Sequence, residues 1–149
     1  MNLSNGIETR RIKPDGSTYL VAAGAANILS DAIDTTGYEG VRIMIGFGAI
    51  TSGAATSVKA QQALTTGGTY ADLAGTSITV ADTDDGFVAV IDILNPREAF
   101  IKIATLRATQ NSSVEFIIAE LYGAREVPVT QGATIIDQEI WRSVAEGTA

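Results

Sequence analysis

The 149-residue chain contains no cysteine and no histidine. The first absence excludes disulfides, thiolate nucleophiles and cysteine-held metals, and leaves the redox compartment open. The second removes the commonest general base, the commonest metal ligand and the side chain that titrates near neutral pH. Catalysis would have to rest on carboxylates, lysine, tyrosine or a backbone oxyanion hole. Positive charge is scarce as well: ten Lys and Arg stand against 17 Asp and Glu, a formal net charge of −7. A field of that sign repels phosphate backbones, so nucleic acid is not an expected partner. No apolar run approaches the ~20 residues that a helix needs to cross a bilayer. The N-terminus lacks the basic-then-apolar pattern of a signal peptide. No membrane partner is expected.

Apolar residues are plentiful, at 46%. A chain of this length reads as one domain and buries roughly 70% of its unfolded surface. The stretch 87–122 organises it. It reads as three consecutive antiparallel strands, broken at Asn95-Pro96-Arg97-Glu98 and at Gln110-Asn111-Ser112-Ser113. In the first strand Phe87, Ala89, Ile91 and Ile93 share one face. Val88, Val90 and Leu94 share the other, interrupted by Asp92. A strand apolar on both sides is expected to be central or covered. In the third, Val114, Phe116, Ile118 and Glu120 alternate with Glu115, Ile117, Ala119 and Leu121. Pro96, which lacks an N–H for a ladder, is placed in a hairpin turn. Asp92 is expected to meet Lys102 or Arg107 across that hairpin.

Upstream, residues 41–47 alternate so that Val41, Ile43, Ile45 and Phe47 share a face. Residues 19–23, 32–34, 57–63, 70–73 and 76–80 read as further short strands, and 48–55 as a loop. Seven or eight short strands with closely spaced turn signals predict an all-β, antiparallel β-sandwich, jelly-roll-like rather than a barrel. The domain is expected at 19–122, with extended arms at 1–18 and 123–149.

The arms carry distinctive residues. Arg10, Arg11 and Lys13 gather three of the ten basic residues into four positions. They suit either a solvated terminus or an arm that docks on an acidic partner. Arg125 pairs with Glu126 or with an acidic neighbour. Ile136, Ile140 and Val144 have the spacing of a short amphipathic helix, and an extended arm is equally compatible. Trp141 is the only tryptophan. It either packs back on the domain or anchors a neighbour, as tryptophan does at interface hot spots.

Reactive constellations do not emerge. Asp82-x-Asp84-Asp85-Gly86 has its glycine at position 5 and Ile93 at position 12, which breaks the calcium-loop pattern. It reads as a tight acidic turn. Gly46, Gly48 and Gly53 lack phosphate-loop spacing. Glu115 and Glu120 fall on opposite strand faces, unlike a glycosidase pair. Neither a cofactor nor a catalytic or metal-binding residue is predicted.

Three segments carry a family resemblance: DLAGTSITVADTDDG at 72–86, VIDILNPRE at 90–98 and LYGAREVPVTQ at 121–131. They resemble the small capsid-associated proteins of tailed bacteriophages, the head decoration or cement proteins found beside the major capsid protein. Two steps are shared. One is D-x-x-x-P-R-x-x-[FY]-[IV], here Asp92, Pro96, Arg97, Phe100 and Ile101. The other is Y-G-A-R-x-x-P-V-[ST], here Tyr122 through Thr130. The resemblance implies a non-enzymatic sandwich on the capsid exterior of a virion, made in the bacterial host cytoplasm. It would bind the major capsid protein and itself, as a homodimer or homotrimer. Candidate contacts are Arg10, Arg11, Lys13, Arg125, Ile136, Ile140 and Trp141. Truncation after Thr130 is expected to weaken shell binding and leave the sandwich folded. The alternatives are a tail, neck or fibre module of the same virion, or a carbohydrate-binding sandwich using Tyr19, Tyr38, Tyr70, Tyr122 and Trp141.

Overall fold

The computed structural model describes residues 3–140 and 146–147. A single helical turn, α1 (Leu3–Gly6), precedes eleven strands. These are β1 (Glu8–Ile12), β2 (Val21–Gly24), β3 (Ile28–Leu29), β4 (Ile33–Asp34), β5 (Gly40–Ile50), β6 (Ala55–Ala63), β7 (Ala71–Asp72), β8 (Ile78–Val80), β9 (Val88–Leu94), β10 (Phe100–Ala108) and β11 (Ser112–Tyr122).

They form two antiparallel sheets. The first runs β1-β11-β5-β9, with β2 continuing beside β11. The second runs β3-β10-β6-β7, with β4 also on β10 and β8 also on β6. Taking β1/β2, β3/β4 and β7/β8 as broken single strands leaves eight, ordered 1-8-3-6 and 2-7-4-5. That interleaving is the jelly roll, two Greek keys folded into a sandwich. The expected all-β sandwich is therefore the fold, and its strand order is now explicit.

Alternation builds the core. Val41, Ile43, Ile45 and Phe47 of β5 point inward with Ile117, Ala119 and Leu121 of β11, and all are buried. Val58 and Ala60 of β6 and Ile101 and Ile103 of β10 meet them from the second sheet. Each buried Val, Ile, Leu or Phe contributes roughly 1.5–3 kcal/mol, and the alanines less.

Four expectations need correction. The three strands of 87–122 exist, but they do not pair with one another: β9 and β11 lie in the first sheet and β10 in the second. Their connections are arches between sheets, not hairpins, and Pro96 sits in such an arch. Next, β9 is not central. It ends the first sheet, and Val88, Val90 and Leu94 are 48%, 42% and 64% exposed. Third, β5 runs on to Ile50 through the predicted loop. A register shift there lets Gly48 pass under Ser113 and Glu115, whose side chains a Cβ would meet at 2.7 Å. A second shift, between Val114 and Phe116, turns Val114 to the core face that Ile117 also uses. This β-bulge breaks the simple alternation read from sequence.

The fourth correction concerns the arms. Residues 8–12, assigned to the N-terminal arm, are strand β1, paired with β11 from Glu8↔Leu121 to Ile12↔Ile117. The far edge of β1 is covered by the C-terminal segment. The Thr9 amide donates to Gln131 Oε1 at 2.8 Å, and the Arg11 amide to Thr134 Oγ1 at 2.8 Å. The Gly132 amide donates back to the Thr9 carbonyl at 3.2 Å. Gly132 is needed for this approach, since a Cβ would lie 2.7 Å from Arg10 Cγ and 2.9 Å from the Thr9 oxygen. An edge strand closed in this way is protected from foreign pairing.

Candidate docking surface

The residues proposed as contacts fall into three environments. Arg10 belongs to the first, a polar cluster at the inner end of the sandwich. Its Nε and Nη2 donate to the two oxygens of Glu8 at 2.5 and 2.8 Å, and its Nη1 to the Asp34 carbonyl at 3.2 Å. The Tyr38 hydroxyl donates to the same carboxylate. Arg10 is thus engaged within its own fold, with part of its side chain still exposed. The alternation of β1 explains why: Glu8, Arg10 and Ile12 face inward.

Burial opposes ionisation of Glu8, but Arg10 and Tyr38 outweigh it and hold the carboxyl below its ordinary 4.5. The Asp15 carboxylate accepts the Thr18 and Ser17 amides at 2.7 and 2.8 Å, which lowers its pKa to about 2. A group depressed in the folded state stabilises above its unfolded pKa and loses that contribution as pH falls. Stability should therefore decline as the solution is acidified below about 4.5. The Glu8→Gln variant is expected to start less stable at pH 7 and to show a shallower acid limb in urea titrations. An unchanged acid limb would remove Glu8 from the explanation.

Arg11 and Lys13 form the second environment. The Arg11 guanidinium and the Lys13 ammonium each stand 5.5 Å from the centroid of the Tyr19 ring. Arg11 Nη2 also reaches the Tyr19 and Glu115 carbonyls at 3.3 and 3.4 Å. Arg11 is exposed, so this cation pair presents positive charge on an otherwise acidic molecule.

The C-terminal segment is the third. The Arg125 amide donates to the Gly37 carbonyl at 2.9 Å, while the residue stays exposed. The Val129 amide donates to Asn5, and Gln131 Nε2 to the Ile7 carbonyl at 2.8 Å. Beyond the cover of β1, residues 136–140 are not helical. Ile136 is fully exposed (104%) and Ile140 half exposed (50%). Val144 and Trp141 lie outside the described residues. Truncation after Thr130 would remove Gln131, Gly132 and Thr134 and open the edge of β1, so that cut does not separate arm from sandwich.

Other expected pairings resolve differently. Asp92 accepts the Tyr122 hydroxyl at 2.7 Å, not Lys102 or Arg107. Burial and this bond raise the Tyr122 hydroxyl to about 12. Lys102 stands 4.6 Å over the Tyr70 ring on the second sheet. Arg107 is buried and bonds carbonyls. The acidic turn uses its carboxylates on backbone amides: Asp82 on Gly53, Asp84 on Ala81 and Asp85 on Ile50, at 2.7, 2.8 and 2.6 Å. Among the described residues no group of three or more Asp or Glu is placed to hold a metal ion. Tyr122 and Tyr70 lie over different sheets, and Tyr38 points into the Glu8 cluster, so these rings do not line one sugar-binding groove.

Sequence reasoning missed the exposed apolar set Phe87, Val88, Val90 and Leu94. For Val88, Val90 and Leu94 the signal is the apolar second face of the first strand of 87–122, which by itself does not separate burial from an open edge. Phe87, on the other face, lies just outside β9 and is 63% exposed.

No protein-family model matches this chain, and no curated protein does. Among solved structures the chain is similar to one from Bacillus endospore appendages, described as a novel family of disulfide-linked pili. The two share 13% sequence identity at a TM-score of 0.44, over 80% of this chain and 90% of that one.

Proposed function

We propose that this chain is a structural subunit that decorates the outer surface of a phage head and reinforces contacts between major capsid protein subunits. The observation that carries the reading is the end of the C-terminal segment. After closing the edge of β1 it extends Ile136 and Ile140 into solvent, 104% and 50% exposed. Apolar side chains held out on a segment anchored to its own sheet suit insertion into a neighbouring subunit. The sequence steps around Asp92–Ile101 and Tyr122–Thr130 supply the kind of neighbour. Arg11, Lys13 and Arg125 add exposed or half-exposed cations elsewhere on the surface. Many weak contacts on one lattice then sum through multivalency.

Copy number tests the role. In purified particles the 15.5 kDa chain should stand to the major capsid protein near one to one or in a simple fraction, by quantitative mass spectrometry. A handful of copies, or none, overturns it. The site is tested by two truncations. Ending the chain after Ile135 removes the Gln138 bond to the Ser4 carbonyl at 3.2 Å, so it should lower the thermal midpoint only slightly, yet weaken rebinding to stripped heads at least tenfold. Ending it after Thr130 should lower stability by about 1–3 kcal/mol, from the lost edge bonds. Full rebinding without residues 136–149 would refute the segment's role.

A further inference from the structure

We infer that two copies of this chain pair through β9, joining their first sheets into one continuous eight-stranded sheet. The inference stands apart from the capsid reading, because self-pairing requires no shell.

Strand β9 is the long open edge among the described residues. On the opposite side of its sheet, β1 is covered by residues 131–134. There β2 has four residues, and its Ala22 carbonyl is taken by Arg107 at 3.2 Å. The second sheet ends in β3 and β4 on one side and β7 and β8 on the other, each two or three residues long. Short, broken strands of that kind are how natural sheets blunt their edges. β9 has none of these defences. It runs seven residues with an unbroken register on β5, from Gly40↔Leu94 to Gly46↔Val88, and contains no proline and no lysine. Its one charge, Asp92, is drawn back over its own sheet by the Tyr122 hydroxyl.

The phase of the ladder shows what β9 offers. The Phe47 amide bonds the Phe87 carbonyl at 3.0 Å, and the Asn95 amide bonds the Glu39 carbonyl at 2.7 Å. In an antiparallel pair, hydrogen-bonded positions alternate. Phe87, Ala89, Ile91, Ile93 and Asn95 therefore bond β5. Val88, Val90, Asp92 and Leu94 turn their amides and carbonyls outward. Their side chains line the outer face, next to Gly46, Met44, Arg42 and Gly40 in register.

This edge complements itself. Under a two-fold axis at Ile91, Val88 stands opposite Leu94 of the second copy, and Val90 opposite Asp92. Every outward amide and carbonyl of the four residues then has a partner. Sliding two residues one way sets Leu94 of each copy opposite Gly86, beyond β9, and loses its pairs at both ends of the seam. Sliding the other way sets Asp92 against Asp92, where like charges repel. A one-residue slip brings inward-bonded groups to the seam. One register is thus favoured, and the two-fold arrangement is a closed one.

Light scattering on a sizing column tests the pairing. At about 100 µM, above the micromolar Kd that modest interfaces reach, the chain should elute at twice 15.5 kDa. Val90→Pro removes an amide that β5 does not use, so the fold should persist while the mass halves. Val90→Lys should do the same by placing charge at the seam. In the cysteine-free background, Val88→Cys combined with Leu94→Cys should cross-link two copies on oxidation. Either substitution alone should not, because equivalent positions lie about 20 Å apart along the strands. A monomeric wild-type chain at that concentration, even one that binds heads, overturns the inference. So does a dimer that survives both Val90 variants, or one that cross-links equally well through a single cysteine.

Discussion

Replacing Arg107 with methionine is expected to destabilise the protein by about 2–4 kcal/mol. The residue is 6% exposed on the inward face of β10, and the Asp15 carboxylate acts on it through space. Its Nε donates to the Ala26 carbonyl at 2.7 Å, and its Nη1 to Ser112 at 2.8 Å and Ala22 at 3.2 Å. One guanidinium thereby ties the crossover from β2 to β3, which passes between sheets, to the start of β11. Two effects oppose each other. Burial penalises the charged form and lowers the pKa of Arg107, more than the Asp15 carboxylate raises it, so removing the head group relieves desolvation. Against that, three carbonyls lose a charged donor. Those of Ala22 and Ala26 belong to exposed residues and can turn to water; that of Ser112, which is fully buried, cannot. The orphaned carbonyl and the released crossover outweigh the relief. Methionine keeps the packing of the stem, so the variant isolates the head group. Arg107→Lys should recover little, because one ammonium cannot span three carbonyls as a planar fork does. Urea denaturation reads the difference, and a loss below about 0.5 kcal/mol would show that the relief wins.

Arg107 also shows where sequence reading stops. Its position in an alternating strand is visible from Ile101, Ile103 and Thr105, which place it on the same inward face. What a buried arginine bonds depends on the jelly-roll arches, and these bring residues 22–26 and 112 to it from distant parts of the chain. The same limit governs Asp92. Read locally, it faces Lys102 across a hairpin; in the fold, β9 and β10 lie in different sheets, and Tyr122 is its partner. Strand identity came through well because period-2 alternation is local. The two faces of β9 did not, because an apolar run looks alike whether it lies at the centre of a sheet or at an open edge. In the arms, composition reads Arg10 either as a solvated cation or as part of a docking arm, whereas the inward parity of β1 sets it against Glu8. The exposed Ile136 and Ile140 were legible, since no alternation joined them to the sandwich.

Phe47→Ala should be the most damaging single truncation of the core, costing about 3–5 kcal/mol and lowering the thermal midpoint by about 10 °C or more. Phe47 is 2% exposed and the largest fully buried side chain. It occupies the inward face of β5 beside the seam between the sheets, where β8 and β9 do not pair. There it floors an open groove of about 140 Å³ shared with Ile78, Val80, Phe87 and Ala89. Truncation would join that groove to the core. The neighbours cannot close the gap cheaply, because Val114 is fixed opposite Phe47 by the bulge in β11. Phe47→Leu, which keeps most of the volume, should lose only about 1 kcal/mol. The contrast between the two variants separates a cavity from a mere change of shape. Because the groove opens on the inner side of β9, the alanine variant should also loosen that strand. In the monomer, obtained in the Val90→Lys background, amide exchange at positions 88 and 90 would then report little change, since their amides face outward, whereas Ala89 and Ile91 should lose protection. Equal loss at all four would mean that β9 detaches whole, and unchanged protection at Ala89 and Ile91 would mean that Phe47 does not brace it.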